Sequence, residues 1–173
     1  GVSFYLRQGS DIVRYLPSGR LDRSSDDGLT WVQQVTTTPN GFVINSVAAT
    51  GATLLASTPQ GLAELTSTAT SWQIISDPGL PNFLRVVDLS FARRSNARAL
   101  LLEDNLNRTL FVSANGATWT RGLTMTQGEA RVIAMSPSGD QVFVAGTLGS
   151  YRILGDAGKT VIRTDTISND IGF

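Results

Sequence analysis

Three tryptophans punctuate the chain, Trp31, Trp72 and Trp119, and each closes a short segment of small or hydroxylated residues, "GLTW", "ATSW" and "GATW". Their spacings of 41 and 47 residues set a period near 44, and a period of that length points to a repeat architecture. A further 42 residues reach Val161, where Asp156, Gly158 and Thr160 of "GDAGKTV" stand at the offsets of Asp26, Gly28 and Thr30. A second column keeps the same phase: "VVDLSF" (86–91) matches "SNDIGF" (168–173), with "INSVAA" (44–49) and "VIAMSP" (132–137) as looser copies. Between the columns run short apolar segments such as "ATLLAS", "ARALLLE" and "DQVFVAG", bounded by the Gly, Pro, Asn and Ser residues that mark strand ends. No segment holds the 3.6-residue apolar period of a helix over three turns. The expectation is an all-β chain with four strands to each unit of about 40–50 residues, which is the pattern of a propeller blade.

The stretch "SSDDGLTW", residues 24–31, fits Ser-x-Asp-x-Gly-x-Thr-Trp at every fixed position, through Ser24, Asp26, Gly28, Thr30 and Trp31. "SANGATW" (113–119) is a copy shorter by one residue that keeps Gly116, Thr118 and Trp119. "LGDAGKTV" (154–161) keeps Asp156, Gly158 and Thr160, while "STATSW" (67–72) keeps little beyond Trp72. This pattern resembles the Asp box, or BNR repeat, and the chain is similar to sialidase-like and photosystem II assembly factor-like propellers. The resemblance implies that each box is the hairpin between the third and fourth strands of a blade. Its role is then structural: Asp and Ser bond nearby backbone N–H groups, Gly supplies the turn, and Trp packs between blades. It implies one domain over 1–173 with about four blades, at 1–37 plus 168–173, 38–81, 82–125 and 126–167. "GVSFYLRQGSDIVRYL" is read as starting after the first strand of its blade, and "ISNDIGF" as supplying that strand. Residues 168–173 would then pair with the first blade and hide an open edge. The alternative is a fragment of a propeller of six to eight blades.

Composition narrows the chemistry. Fourteen basic residues balance fourteen acidic ones, so no long-range field draws the chain to nucleic acid or an anionic membrane. The sequence has no Cys and no His, which removes disulfides, thiolate zinc sites, cysteine nucleophiles and the usual Ser-His-Asp triad. No apolar run is long enough to span a membrane as a helix. "DRSSDDG" (22–28) fails the calcium-loop frame, which puts Asp27 where Gly is needed and Gln33 where Glu is needed. "GDAGKT" (155–160) lacks the first Gly of a phosphate-binding loop, because Ile153 stands there. A sialidase-type site needs an arginine triad, a Tyr nucleophile with a Glu partner and a further acid, and the three Glu and three Tyr show no such spacing. No catalytic residue, metal or cofactor is assigned.

Candidate contact residues are therefore sought in loops. "ARRSNAR" (92–98) gathers Arg93, Arg94 and Arg98, read as a solvated turn or as an anion or partner contact. "EDNLN" (103–107), with Glu103, Asp104 and Asn105, is read onto the opposite face with "SDPGLPN" (76–82) and "TQGEA" (126–130). Residues 32–63 carry no charged side chain, as expected where a neighbouring domain or subunit covers a surface. The combined expectation is a non-catalytic binding or scaffolding propeller whose partner is a protein or neighbouring domain. Its alternatives are a glycan-binding or sialidase-like module and a structural subunit of a larger particle. Residence outside the cytoplasm is implied only by the resemblance.

Overall fold

The computed structural model describes residues 2–38, 41–51, 53–75, 80, 85–147 and 150–166. The chain divides into two compact units, Gly1–Val86 and Val87–Phe173. The first unit holds two four-stranded antiparallel meanders: β1 (Phe4–Gln8), β2 (Asp11–Tyr15), β3 (Leu21–Ser24) and β4 (Val32–Val35), then β5 (Ser46–Thr50), β6 (Thr53–Thr58), β7 (Gly61–Thr66) and β8 (Gln73–Ile75). The second holds two more: β9 (Arg85–Phe91), whose first residues fall before the division, β10 (Arg98–Asp104), β11 (Asn107–Ser113) and β12 (Thr120–Thr126), then β13 (Val132–Met135), β14 (Val142–Ala145), β15 (Ser150–Gly155) and β16 (Thr160–Thr166). Among the described residues no helix is long and apolar enough to cross a membrane.

The first meander differs from the sequence reading in its strand count. "FYLRQ" and "DIVRY" pair from Phe4↔Tyr15 to Gln8↔Asp11 around the two-residue turn Gly9-Ser10. β1 therefore gives the first sheet a first strand of its own, where the sequence reading had 168–173 supply it. The alternation of both segments and their Gly-containing turn are the local features that make this hairpin. Residues 168–173, and the pairing proposed for them, lie outside the described residues. So does most of the loop at 76–82.

A four-stranded meander cannot bury its apolar side alone and must stack on another layer. In the first unit, Val13, Tyr15, Leu21 and Val35 of the first sheet meet Leu54, Ala56, Ala63 and Leu65 of the second, with Phe42, Ile44 and Trp72 filling the seam. In the second unit, Ala99, Leu101, Leu110, Val112 and Met125 meet Ile133, Val142, Val144 and Leu154 in the same manner. The inner strands are the most enclosed, and every residue of β6 is buried. That burial accounts for part of the charge-free stretch: Thr53–Thr58 carries no charge because both of its faces are covered within the chain itself.

Trp72 is the largest of the fully buried side chains. Its indole N–H donates to the Gly19 carbonyl at 3.1 Å, in the β2–β3 turn of the neighbouring sheet. It thus supplies both apolar area and a satisfied polar handle across the seam. Trp72→Ala is expected to lower unfolding free energy by about 3–5 kcal/mol, against less than about 0.5 kcal/mol for Leu29→Ala, whose side chain is exposed. Urea unfolding of the two variants measures the difference, and equal losses would contradict the seam.

Candidate functional site

The residues of the repeated pattern occupy the turns between third and fourth strands, and in the first and third of these their side chains cap the backbone. In the first turn, Ser24 Oγ donates to Asp26 Oδ1 at 2.7 Å and accepts from the Gly28 N–H at 2.8 Å. Asp26 in turn accepts the Thr30 N–H at 2.9 Å and the Thr30 hydroxyl. Those donors, the Thr30 hydroxyl first, then the Thr30 amide and Ser24, pull the Asp26 carboxyl from its ordinary 3.8 to about 2. The third turn repeats the network with a neutral residue. Asn115 Oδ1 accepts the N–H groups of Ala117 and Thr118 at 2.9 Å each, and Ser113 Oγ accepts the Gly116 N–H at 2.9 Å.

The fourth turn keeps the letters and changes the geometry. Asp156, Ala157 and Gly158 all take left-handed backbone angles, and the turn closes through backbone bonds from Gly158 and Lys159 to Gly155. Thr160 opens β16 opposite Gly155. Asp156 therefore stands where the backbone reverses, a position that Asp27 and Gly28 hold in the first turn. The Gly158 carbonyl accepts the Leu123 N–H of β12 at 2.8 Å, which ties this turn to the sheet before it.

The three tryptophans do not share one role. Trp72 and Trp119 are buried, at 1% and 6% exposure. Trp31 is only half-buried, and the expectation that it wedges between blades is not met. Its indole N–H returns to the Gly28 carbonyl at 3.0 Å. Its ring meets Tyr5 edge-on at 6.1 Å and lies 4.5 Å from the Arg14 guanidinium. Arg14 also grips the buried Asp22 through Nη2 at 2.7 Å and Nε at 3.1 Å, with Arg20 on the other carboxylate oxygen. Trp31 is thus the cover of an ion-pair cluster on its own sheet. Register places Tyr5, Arg14, Asp22 and Gln33 in one row across that sheet, opposite the face that meets Trp72.

The candidate contact loops are only partly assembled. Arg93 and Arg94 are exposed, whereas Arg98 is half-buried and lies 4.7 Å over the Phe91 ring. The three arginines therefore do not form one cluster. Their loop is instead fastened to the β13–β14 turn by Arg94 N–H to the Pro137 carbonyl and Ser95 Oγ to the Ser138 carbonyl, both 2.9 Å. Glu103 is engaged by the buried Arg108 at 2.8 Å, and Arg108 also donates to the Ala130 carbonyl. Asp104 and Asn105 remain exposed at the β10–β11 turn. In the "TQGEA" loop, Glu129 is held below the usual carboxylate range chiefly by the Thr126 amide and hydroxyl, and it pairs with Arg152.

Sequence reasoning missed a cluster around Arg23 in the first unit. Its guanidinium donates to Gln34 Oε1 at 3.1 Å, Asp11 Oδ2 at 3.1 Å and Gln8 Oε1 at 2.7 Å. The Gln34 amide nitrogen then reaches the β7–β8 turn, facing the carbonyls of Thr66, Ser67 and Ala69 at 3.1, 3.0 and 2.7 Å. A cleft of about 350 Å³ opens beside this bridge, lined by Arg23, Ser25, Val32 and Gln33 on one side and Ser67 and Thr70 on the other. No motif announces it, because its members come from three separate segments.

Four four-stranded antiparallel meanders in sequence have the architecture of part of a β-propeller. Solved propellers are similar in fold: YCF48 bound to a D1 peptide, at TM-score 0.55 and 15% identity over 92% of this chain and 51% of that one; YCF48 from Cyanidioschyzon merolae, at 0.52 and 16% over 95% and 59%; and the Cps50 (Swd1) propeller domain from Myceliophteria thermophila, at 0.59 and 14% over 97% and 56%. The chain thus spans a little over half the length of these structures. No protein-family model and no curated protein sequence matches it.

Two outcomes follow from the turns. Because the Asp26 carboxyl is lowered on folding, its contribution is complete above 3.8 and is lost as pH falls through about 2. Asp26→Asn, which imitates Asn115, is expected to flatten the pH dependence of the urea midpoint in that window; identical slopes for variant and wild type would refute the assignment. Gly28 and Gly158 both have positive φ, but a Cβ at Gly28 finds its nearest atom 3.7 Å away, while one at Gly158 lies 2.4 Å from the buried Leu110. Gly158→Ala is expected to cost about 2–4 kcal/mol and Gly28→Ala about 1 kcal/mol, read from the same unfolding curves.

Proposed function

We propose that the chain is a non-catalytic, Asp-box form of propeller that binds protein segments and serves as a scaffold, its partner being a protein or a neighbouring domain. The observation that carries this reading is the likeness in fold to YCF48, a propeller solved with a D1 peptide bound. The capped turns support the Asp-box part: Ser24 and Asp26, and again Ser113 and Asn115, bond their own backbone at the same place in two sheets. A chain without His or Cys, whose Glu103 and Glu129 are tied to Arg108 and Arg152, has few groups poised to move protons. Residence outside the cytoplasm, as in most proteins with such repeats, belongs to the same reading.

Two measurements test it. The purified chain is expected to bind a limited set of peptides on a synthetic peptide array and to release no fluorophore from 4-methylumbelliferyl sialosides and related glycosides. Turnover above the blank would replace the non-catalytic reading with a glycosidase one, and an array without sequence-dependent binding would remove the peptide partner.

A further inference from the structure

The cleft beside Gln34 combines features that do not follow from building a sheet. Its floor is Arg23, whose side chain is 16% exposed. A guanidinium carries more N–H groups than the three acceptors around it take up. Behind it, Gln8 is 6% exposed, and its amide nitrogen has no hydrogen-bond partner among the described residues, although its oxygen is held by Arg23. Gln8 is not among the residues lining the cleft, so the donor open to a ligand there is the Arg23 guanidinium, whose largely buried N–H groups are costly to leave without acceptors. Asp11 lies 3.1 Å from Arg23, so the positive charge is already balanced. The missing group is an acceptor, and a full negative charge on it is not required.

The walls narrow the choice further. Val32 is 70% exposed at the mouth and offers an apolar shelf. Gln33, Ser67 and Thr70 place amide and hydroxyl groups around it, and no aromatic ring lines the cleft to stack on a sugar. β4, which carries Val32, Gln33 and Gln34, is the outermost strand of its sheet and has no neighbour on its other side among the described residues. Its outward N–H and C=O groups are available for pairing. The Gln34 bridge to the β7–β8 turn fixes one wall against the other, so the cleft exists before a ligand arrives.

We propose that this cleft is a binding site for an uncharged, extended segment of a partner polypeptide, with one main-chain carbonyl received by Arg23 and an apolar side chain resting on Val32. Main-chain groups of the segment pair with the edge of β4, as in strand addition to an open sheet. This proposal rests on the protein-binding reading above and assigns it a place and a chemistry.

The test uses a random dodecapeptide display library selected against the intact chain, followed by titration of the selected peptides into isotope-labelled protein. Thr70→Trp fills the cleft from an exposed position, and Val32→Lys removes the shelf. Thermal melting establishes that both variants fold. The expected result is shift changes at residues 23–25, 32–34 and 67–70, with binding at least about tenfold weaker in both variants. Peptides that bind wild type and both variants equally would overturn the site and leave the protein-binding reading standing. Shift changes at these residues with maltohexaose, in the absence of any selected peptide, would overturn the ligand class. A library that yields no binder, with no response to the sugar, would overturn the site and the protein-binding reading together.

Discussion

A meander of four short strands has two faces and too little area to stand by itself, so its stability is decided by the layer it meets. In each unit that layer is another meander, and the contact is made mostly by small and branched residues of the inner strands, joined in the first unit by Phe42, Ile44 and Trp72 at the seam. The hairpin turns, the outer strands and the surface clusters are all positioned by this face-to-face contact. Trp72 makes the dependence visible: it belongs to the second sheet, yet its hydrogen bond is to Gly19 of the first. Removing it alters both layers at once.

The polar groups follow the same hierarchy. Where the backbone reverses, Ser24 with Asp26 and Ser113 with Asn115 supply the acceptors that the turn amides lack. In the fourth turn the backbone meets its own needs, so the aspartate is free to stand elsewhere in the curve. One turn therefore responds to acid through its carboxylate while its neutral counterpart does not, although both build the same connection. Repetition of form does not require repetition of chemistry.

Much of the architecture was legible in the sequence. The 44-residue period, the short β-rich segments and the turn residues led to four meanders, because strand formation here follows local pattern and turn chemistry. What sequence misjudged was what each repeated letter would touch. Trp31 sits in the best-preserved motif and is the least buried of the three tryptophans, since its ring covers Arg14 on the sheet face away from the core. Arg93, Arg94 and Arg98 are close in the chain, but strand β10 begins at Arg98 and turns it onto Phe91. The Arg23 cluster left no trace in any motif, because Gln8, Asp11, Arg23 and Gln34 converge only once three hairpin turns have closed.

β6 bears on how the chain reaches its folded state. It runs "TLLAST" with no charge of its own, inside a stretch, residues 32–63, that has none either. In the finished fold this strand is wholly enclosed, but before its neighbours close over it nothing in the segment repels a second copy of itself. The nearest charges that could act as gatekeepers are Asp26 and Asp27 on one side and Glu64 on the other. The hairpin of β6 with β7, which ends beside Glu64, is therefore the step on which escape from self-association turns. Solubility during synthesis depends on how soon that hairpin finds its covering sheet.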